Sequence, residues 1–335
     1  MNRIIIVGNG FDLAHGLKTK YEHFIEWYIM SWVEKNQKEK DCVPKKGDKL
    51  IDVKLKNSIF NKLCLCFESG KKYLKYNVKP SKLLERIFLS IKTKGWADFE
   101  SDYYELLKEL LRKRNEVKNI NDEFAFLQSL LIQCLNNVQK NEIKEELVDD
   151  DIKSKMLAPF VAKDISVEAK DKWNDFLKRR LNDSELIDNI ELYKPSDAES
   201  GLKNVHEFKN AYKDQIEFMG IDSIDGDALP QDMLYPDRMM LLNFNYTTTA
   251  DLYMPEDPHF ILNHIHGELA KPESVIFGYG DESDDEYKRL QKINDNEYLR
   301  HIKTNRYLET PNYRDLLAFI DSAPFQVCIM GHSCG

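Results

Sequence analysis

The sequence has no surplus of basic residues. Lys and Arg number 48 against 57 Asp and Glu, which gives a formal net charge of −9. Contacts between cationic side chains and phosphates supply much of the affinity for DNA and RNA, so this balance does not favour a nucleic acid as the main partner. We therefore expect no direct nucleic-acid binding.

The cysteines lack the spacing of a metal or redox motif. Six occur, at positions 42, 64, 66, 134, 328 and 334. None forms a C-x-x-C pair, which argues against a zinc ribbon and a thioredoxin-like motif. His264 and His266 would supply only two ligands from one strand, with no obvious third. We therefore expect no metal.

Long apolar runs are absent as well. None approaches the roughly 20 residues needed to cross a bilayer. Only a short segment precedes Gly8, and it has no signal-peptide pattern. We interpret the chain as a reduced, cytoplasmic protein without a membrane partner. Its 335 residues suffice for one large domain or two modest ones.

The sequence does contain short apolar runs of the kind that form buried parallel strands. Such strands are covered on both faces, so they lack polar alternation. The runs are Ile4–Val7, Met239–Phe244, Phe260–Ile265, Val275–Phe277 and Val327–Met330. Within residues 96–110 and 124–138, apolar residues instead recur three and four positions apart, which predicts helices.

This distribution predicts an α/β fold with a Rossmann-like parallel sheet and a large helical insertion. Residues 1–39 and 236–335 would form the nucleotide-binding core. Residues 40–235 would form a mainly helical insertion or cap, with few if any strands in the main sheet.

A glycine loop follows the first predicted strand, with the sequence Gly8-Asn9-Gly10-Phe11-Asp12. Glycines in this position let backbone N–H groups approach a phosphate, and the dipole of the following helix favours the negative charge. The third glycine of G-x-G-x-x-G is absent, because position 13 is Leu. The alternative is a tight strand exit without a ligand.

Two polar clusters follow later strands. Asn243–Thr249 should lie at the carboxyl edge of the sheet, where open α/β sheets bind ligands; the alternative is a capping network in a turn. His264 and His266 end the next strand, where a period of two places them on one side. A core or capping role is predicted for His264. His266, beside Gly267, suits a proton shuttle or a contact to a ribose hydroxyl.

The last strand leads into Gly331-His332-Ser333-Cys334-Gly335, which matches the G-x-S-x-G nucleophile elbow of α/β-hydrolases. In that fold the acid and the histidine follow the serine, whereas this sequence ends at Gly335. A Gly-x-Ser contact to a nucleotide fits the pattern better. The absence of a closing helix after this strand leads us to expect a natural chain that continues beyond Gly335.

Several of these segments together resemble the AbiH family of bacterial abortive-infection proteins. The resemblance rests on Val7–Leu17, Trp96–Glu100, Phe244–Thr247 and His264–Gly267. It implies a role in defence against phage. A phage-derived trigger, a partner protein or a second copy of the chain would then be candidate partners.

The order of the motifs also resembles, more distantly, that of sirtuin-like NAD-binding domains, which implies NAD as the ligand. The residues that this second resemblance assigns are Gly8 and Gly10 at the pyrophosphate, Asn245 and His266 at the nicotinamide ribose, and Gly331 and Ser333 at the adenosine side. Asn9, Phe11 and Asp12 complete the predicted cofactor-binding set.

The chain departs from the sirtuin pattern in three places. Thr247 stands where sirtuins usually have Asp. The zinc-binding cysteine pairs are missing, which argues against protein deacetylation. The loop reads Gly-Asn-Gly-Phe-Asp rather than Gly-Ala-Gly, which leaves the pose of NAD open.

Two hypotheses about function follow. In the first, the protein is an NAD glycohydrolase that cleaves the nicotinamide–ribose bond through an oxocarbenium-like centre. Asn245 and His266 are its predicted catalytic residues: the amide orients the ribose or water, and the imidazole acts as a base or ribose contact. In the second, the protein is a non-catalytic sensor that holds NAD, ADP-ribose or another nucleotide.

Some polar residues near these motifs have two interpretations. Asp12 suits either a ribose hydroxyl or a cap on its own loop. Trp96, Asp98 and Glu100 lie on a predicted helix that would cover the site, but a core Trp and solvated acids are the favoured interpretation.

Overall fold

The computed structural model describes residues 1–37, 47–52, 79–94, 98–112, 117–182, 201–280, 285–293 and 295–333. The strands are β1 (Asn2–Val7), β2 (Ile51–Asp52), β3 (Lys79–Pro80), β4 (Met239–Asn243), β5 (Phe260–His264) and β6 (Phe325–Met330). Among the described residues, the α-helices of the first half are α1 (Asn9–Ala14), α2 (Tyr21–Gln37), α3 (Lys82–Lys94), α4 (Phe99–Arg112), α5 (Lys118–Glu142) and α6 (Asp150–Met156). Those of the second half are α7 (Lys170–Asn182), α8 (Gly201–Ala211), α9 (Lys213–Phe218), α10 (Asp285–Lys292), α11 (Asn296–Leu299), α12 (Lys303–Arg306) and α13 (Asn312–Ser322).

The main sheet has four parallel strands in the order β5-β4-β1-β6. Ile5 and Val7 of β1 belong to an apolar cluster on one face, and Ile4 belongs to a cluster that includes Phe319 of α13 on the other. Burial on both faces explains why β1 is apolar throughout residues 4–7. The predicted α/β class with a parallel sheet is confirmed.

The four strands of this sheet come from residues 2–7 and 239–330. In the described part of residues 40–235, the strands β2 and β3 pair only with each other, and the rest is helix, turn and loop. The predicted helical periodicity is confirmed in α4 and α5. Trp96 lies outside the described residues. The division into two domains stays a prediction.

The prediction of a strand at Val275–Phe277 is wrong. These three side chains are at most 2% exposed, yet the segment forms no ladder. Its backbone is satisfied individually: the N–H of Ile276 donates to the carbonyl oxygen of His266 at 2.8 Å. The hydroxyl of Tyr246 donates to the carbonyl oxygen of Ile276 at 3.0 Å. A buried apolar run therefore has the same sequence pattern in a strand and in a core-facing loop.

Helices α2 to α5 pack around the largest apolar cluster of the described chain. In α4, Phe99, Tyr103, Leu106 and Leu110 are buried at helical spacing. The same cluster takes in Phe277, which follows β5 in the chain. The helices therefore pack directly on the segment that leaves the sheet. Among the residues that the structure describes, no helix combines the length and apolar composition that a membrane span requires.

Candidate functional site

A cavity of about 380 Å³ lies where the strands of the main sheet end. The exits of β1, β4, β5 and β6 contribute Gly10, Asn245, His266 and Gly331, respectively, to its lining. Because all four strands are parallel, their carboxyl ends meet at one edge, which is where open α/β sheets bind ligands. The expected convergence of the glycine-bearing exits is therefore present.

Most residues of the sequence-predicted site line this cavity. They are Gly8, Asn9, Gly10, Asp12, Asn245, His266, Gly331 and Ser333. Phe11 does not: it is 4% exposed and packs with its ring centroid 5.4 Å from that of Tyr253. The Phe11 side chain packs α1 into an apolar cluster, and a ligand contact at Phe11 stays a prediction.

The glycines of the β1 and β6 exits are required by the close contact between the two loops. The N–H of Gly10 donates to the carbonyl oxygen of Gly331 at 2.8 Å. A Cβ on Gly10 would lie 2.8 Å from that same oxygen. The N–H of Gly8 donates to the carbonyl oxygen of Met330 at 3.3 Å, so the amides of both glycines are already engaged. The tight-exit alternative accounts for these glycines, and their pyrophosphate role stays a prediction.

Asp12 and Asn245 join the exits of β1 and β4. Asp12 is 1% exposed and accepts from the Thr247 hydroxyl at 2.6 Å and from the Asn245 amide nitrogen at 3.3 Å. The same amide nitrogen donates to the carbonyl oxygen of Gly8 at 3.0 Å. Burial raises the pKa of Asp12, and the hydroxyl hydrogen bonds oppose the rise. The Asn245 amide is thereby fixed at the cavity wall.

Both ring nitrogens of His266 are hydrogen-bonded. Nδ1 lies 3.0 Å from the carbonyl oxygen of Phe244, and Nε2 lies 2.8 Å from the hydroxyl of Tyr307. Because a carbonyl only accepts, Nδ1 carries the proton and Nε2 accepts from the tyrosine. Burial, together with the nearby charge of Lys303, lowers the pKa of His266 to about 3. The ring is therefore neutral at physiological pH.

His264 has a different environment from His266. The strand ends at His264, so the alternation does not carry through to His266. His264 is buried, and its Nε2 lies 2.9 Å from Oδ2 of Asp251. Burial alone would lower the pKa of His264, but the hydrogen bond and charge of Asp251 raise it overall. The predicted packed role of His264 is confirmed.

A carboxylate and an ammonium group from distant parts of the chain meet in the cavity. Nζ of Lys303 lies 2.9 Å from Oε1 of Glu100 and 3.0 Å from Oε2. The N–H of Gly278 donates to Oε1 at 3.1 Å. The side chains of Glu100 and Lys303 are 18% and 17% exposed. The interpretation of Glu100 as a solvated acid is therefore wrong.

The sequence carried a signal for Glu100 but none for Lys303. Glu100 is the last residue of Trp96–Glu100, one of the segments on which the family resemblance rests. That membership favours a site role over the solvated surface position that a charged side chain alone suggests. Lys303 lies in a polar stretch without a motif. Only the fold brings it within hydrogen-bonding distance of α4.

Aromatic and apolar side chains complete the cavity wall. Tyr21 stacks on Phe99 with ring centroids 4.1 Å apart, and Leu131 and Leu135 of α5 add an apolar side. Burial, followed by the charge of Glu100, raises the pKa values of Tyr21 and Tyr246 well above the ordinary value. Both phenols therefore stay neutral. Residues of the helical part of the chain thus complete the wall of a cavity that lies at the edge of the sheet.

The described residues contain no group of three or more His, Cys, Asp or Glu side chains that could hold a metal ion. The metal-free site stays a prediction. In the nucleophile-elbow pattern, Ser333 lines the cavity, while Cys334 and Gly335 lie outside the described residues.

Comparison with known proteins identifies the family. The family model described as "Bacteriophage abortive infection AbiH" matches residues 4–335. No curated protein and no solved structure matches the chain. Since the family match covers nearly the whole chain, the protein belongs to the AbiH family of bacteriophage abortive infection proteins.

Proposed function

We propose that the protein binds NAD in the cavity at the sheet edge and hydrolyses its nicotinamide–ribose bond during abortive infection. Membership of the AbiH family implies the role in abortive infection. The observation that carries the proposal is the convergence of four strand exits on one cavity of about 380 Å³. Small-molecule sites typically measure roughly 300–1,000 Å³ and place a few polar groups in an apolar wall.

The Asn245 amide supports this chemistry. Its nitrogen donates to Gly8 and Asp12, which leaves Oδ1 without a protein partner among the described residues. A ribose hydroxyl or a water molecule can donate to that oxygen. Holding a reactant in one orientation lowers the barrier to reaction, so a fixed amide suits the predicted orienting role.

His266 suits a ribose contact better than proton transfer. An efficient general base has a pKa near the working pH, whereas the pKa of His266 is about 3. Both nitrogens also have partners already. In this proposal the ring and the hydroxyl of Tyr307 form a fixed polar surface against the ribose.

The test is the loss of NAD and the appearance of nicotinamide and ADP-ribose with the purified protein, followed by chromatography. The Asn245→Ala variant should lose at least about tenfold in rate, as expected when a group that orients the reactants is removed. Asn141→Ala, at an exposed position on α5, is the matched control. Thermal melting shows whether each variant is folded. A wild-type protein that neither binds nor cleaves NAD, alone or with extract of phage-infected cells, would refute the proposal.

A second candidate function is a nucleotide sensor without catalysis. The fully hydrogen-bonded, neutral ring of His266 favours it, because such a ring binds without exchanging protons. Calorimetry with NAD and ADP-ribose distinguishes the two functions. Saturable binding of NAD with no nicotinamide formed would support the sensor.

A further inference from the structure

Cleavage of a glycosidic bond generally uses a carboxylate near the anomeric carbon, to activate water or to stabilise the oxocarbenium-like centre. Among the described residues that line the cavity, Asp12 and Glu100 are the two carboxylates. The choice between them depends on which one retains an oxygen for a ligand.

Asp12 is committed to the protein. Its side chain is buried, with the residue only 1% exposed. Oδ2 accepts from Thr247 at 2.6 Å, and Oδ1 accepts from Asn245 at 3.3 Å. Removing either contact would leave one oxygen of a buried carboxylate without its donor, which is costly. Asp12 therefore holds the loops together rather than a substrate.

Glu100 is anchored on one oxygen and more open on the other. Oε1 accepts from both Lys303 and the N–H of Gly278, at 2.9 and 3.1 Å. Oε2 accepts only from Lys303 among the described residues, at 3.0 Å. A carboxylate oxygen can accept two hydrogen bonds, so Oε2 retains room for one donor from the cavity.

We propose that Glu100 is the catalytic carboxylate of the proposed NAD cleavage, a step that rests on the proposed function. The oxygen of a water molecule forms a bond to the anomeric carbon of the nicotinamide ribose. The carbon–nitrogen bond breaks, and its electron pair leaves with the pyridinium ring, which becomes neutral nicotinamide. The proton released by the water passes to Oε2 of Glu100, which yields ADP-ribose and needs no further reactant.

The surroundings of Glu100 suit a base. Burial raises the pKa of Glu100 above its ordinary value, while the charge and hydrogen bond of Lys303 oppose the rise. A raised pKa brings a carboxylate closer to the working pH and makes it a stronger base. The ammonium group of Lys303 also keeps the carboxylate in one position, and the phenols of Tyr21 and Tyr246 add no charge.

The experiment compares kcat and NAD affinity for wild type, Glu100→Gln, Glu100→Asp and Glu105→Gln. Glu105→Gln is the matched control, since Glu105 lies on the same helix and its side chain is 47% exposed. Glu100→Gln should lower kcat roughly 10²- to 10⁴-fold while NAD affinity changes less than about tenfold. Glu100→Asp keeps the negative charge but withdraws the carboxylate from the cavity, and should lower kcat roughly 10²-fold.

Glu100→Asp also guards against misfolding of the Gln variant, which leaves Lys303 without its counter-charge. A folded Glu100→Gln or Glu100→Asp variant that turns over NAD at the wild-type rate would overturn the assignment and leave the proposed function intact. So would a loss of NAD affinity with unchanged kcat, because that would make Glu100 a binding residue only. A wild-type protein that binds NAD without cleaving it would overturn both the assignment and the proposed hydrolysis.

Discussion

Thr247 supplies a hydrogen-bond donor to a buried carboxylate. Its hydroxyl donates to the buried carboxylate of Asp12 at 2.6 Å. An Asp at position 247 would place a second carboxylate against Asp12. Two like charges in a buried site cannot both stay ionised without a large cost. A neutral hydroxyl donor at position 247 therefore suits the buried carboxylate of Asp12.

His301 gives a prediction about pH. It is 8% exposed, and its Nε2–H donates to the carbonyl oxygen of Asn121 at 3.2 Å. Burial lowers the pKa of His301 to about 4 from an ordinary 6.5. As pH falls below 6.5, the unfolded chain takes up a proton at this residue that the folded chain refuses. The contribution of His301 to stability is therefore lost between pH 6.5 and 4.

The measurement is the free energy of unfolding by urea at pH 7.5 and at pH 5. Wild type should lose about 2 kcal/mol more than His301→Gln between these two values. Other buried acids and bases contribute equally to both proteins and cancel in the difference. His206→Gln, at an exposed position on α8, should follow wild type. Equal losses of unfolding free energy for wild type and His301→Gln between the two pH values would contradict the prediction.

The contact between the loops that leave β1 and β6 sets the geometry of the cavity. Gly331 has a φ of +71°, and a Cβ there would lie 2.2 Å from the backbone nitrogen of Phe11. Backbone atoms cannot move aside as a flexible side chain can. Both the left-handed conformation and the adjacent loop therefore require glycine at position 331.

Gly331→Ala should therefore lower the free energy of unfolding by about 3 kcal/mol or more, since it combines strain with a clash against the backbone. Gly16→Ala is the matched control. Gly16 has a φ of +76°, but a Cβ there would meet nothing within 4 Å. Only the conformational cost of about 1 kcal/mol applies to it. Equal losses in urea unfolding for the two variants would show that the loop contact contributes little.

The sequence predicts the elements better than the contacts between them. The apolar runs of β1, β4, β5 and β6 and the helical period of α4 and α5 depend on nearby residues, so they are readable in one chain. The strand predicted at Val275–Phe277 does not form, because burial alone makes a run apolar. The sequence does not predict the buried ion pair of Glu100, because its partner Lys303 lies 203 positions away. Pairings at that distance leave no periodic pattern.

Helices α4 and α5 pack against the segment that follows β5 through stacked aromatic rings. Tyr104 stacks on Tyr279 with ring centroids 3.9 Å apart, and Phe124 stacks on Phe277 at 4.8 Å. These contacts lie beside the Glu100–Lys303 ion pair, which joins the same two parts of the chain. The charged pair in the cavity therefore depends on the packing of α4 and α5 against Phe277 and Tyr279.

Asn121 of α5 bonds the segment around Glu297 and does not line the cavity, so replacing it should weaken this packing without changing a lining residue. It is fully buried and accepts from the Tyr103 hydroxyl at 2.7 Å. Its amide nitrogen donates to the backbone carbonyl of Glu297 at 2.7 Å and to its carboxylate at 2.8 Å. Asn121→Ala removes these bonds and leaves the tyrosine hydroxyl without its partner. The free energy of unfolding should fall by about 1–3 kcal/mol.

Asn121→Ala should destabilise residues 295–306 more than the main sheet. Amide hydrogen exchange measured by mass spectrometry should rise in residues 295–306, which lose their anchor on α5, and stay at the wild-type level in β1 and β4. Asn136→Ala, at an exposed position on the same helix, should exchange like wild type throughout. If exchange in residues 295–306 is unchanged, or if it rises equally in β1, then Asn121 does not specifically couple the helices to this segment. A local rise would instead show that the helical part of the chain holds Lys303 in place against Glu100.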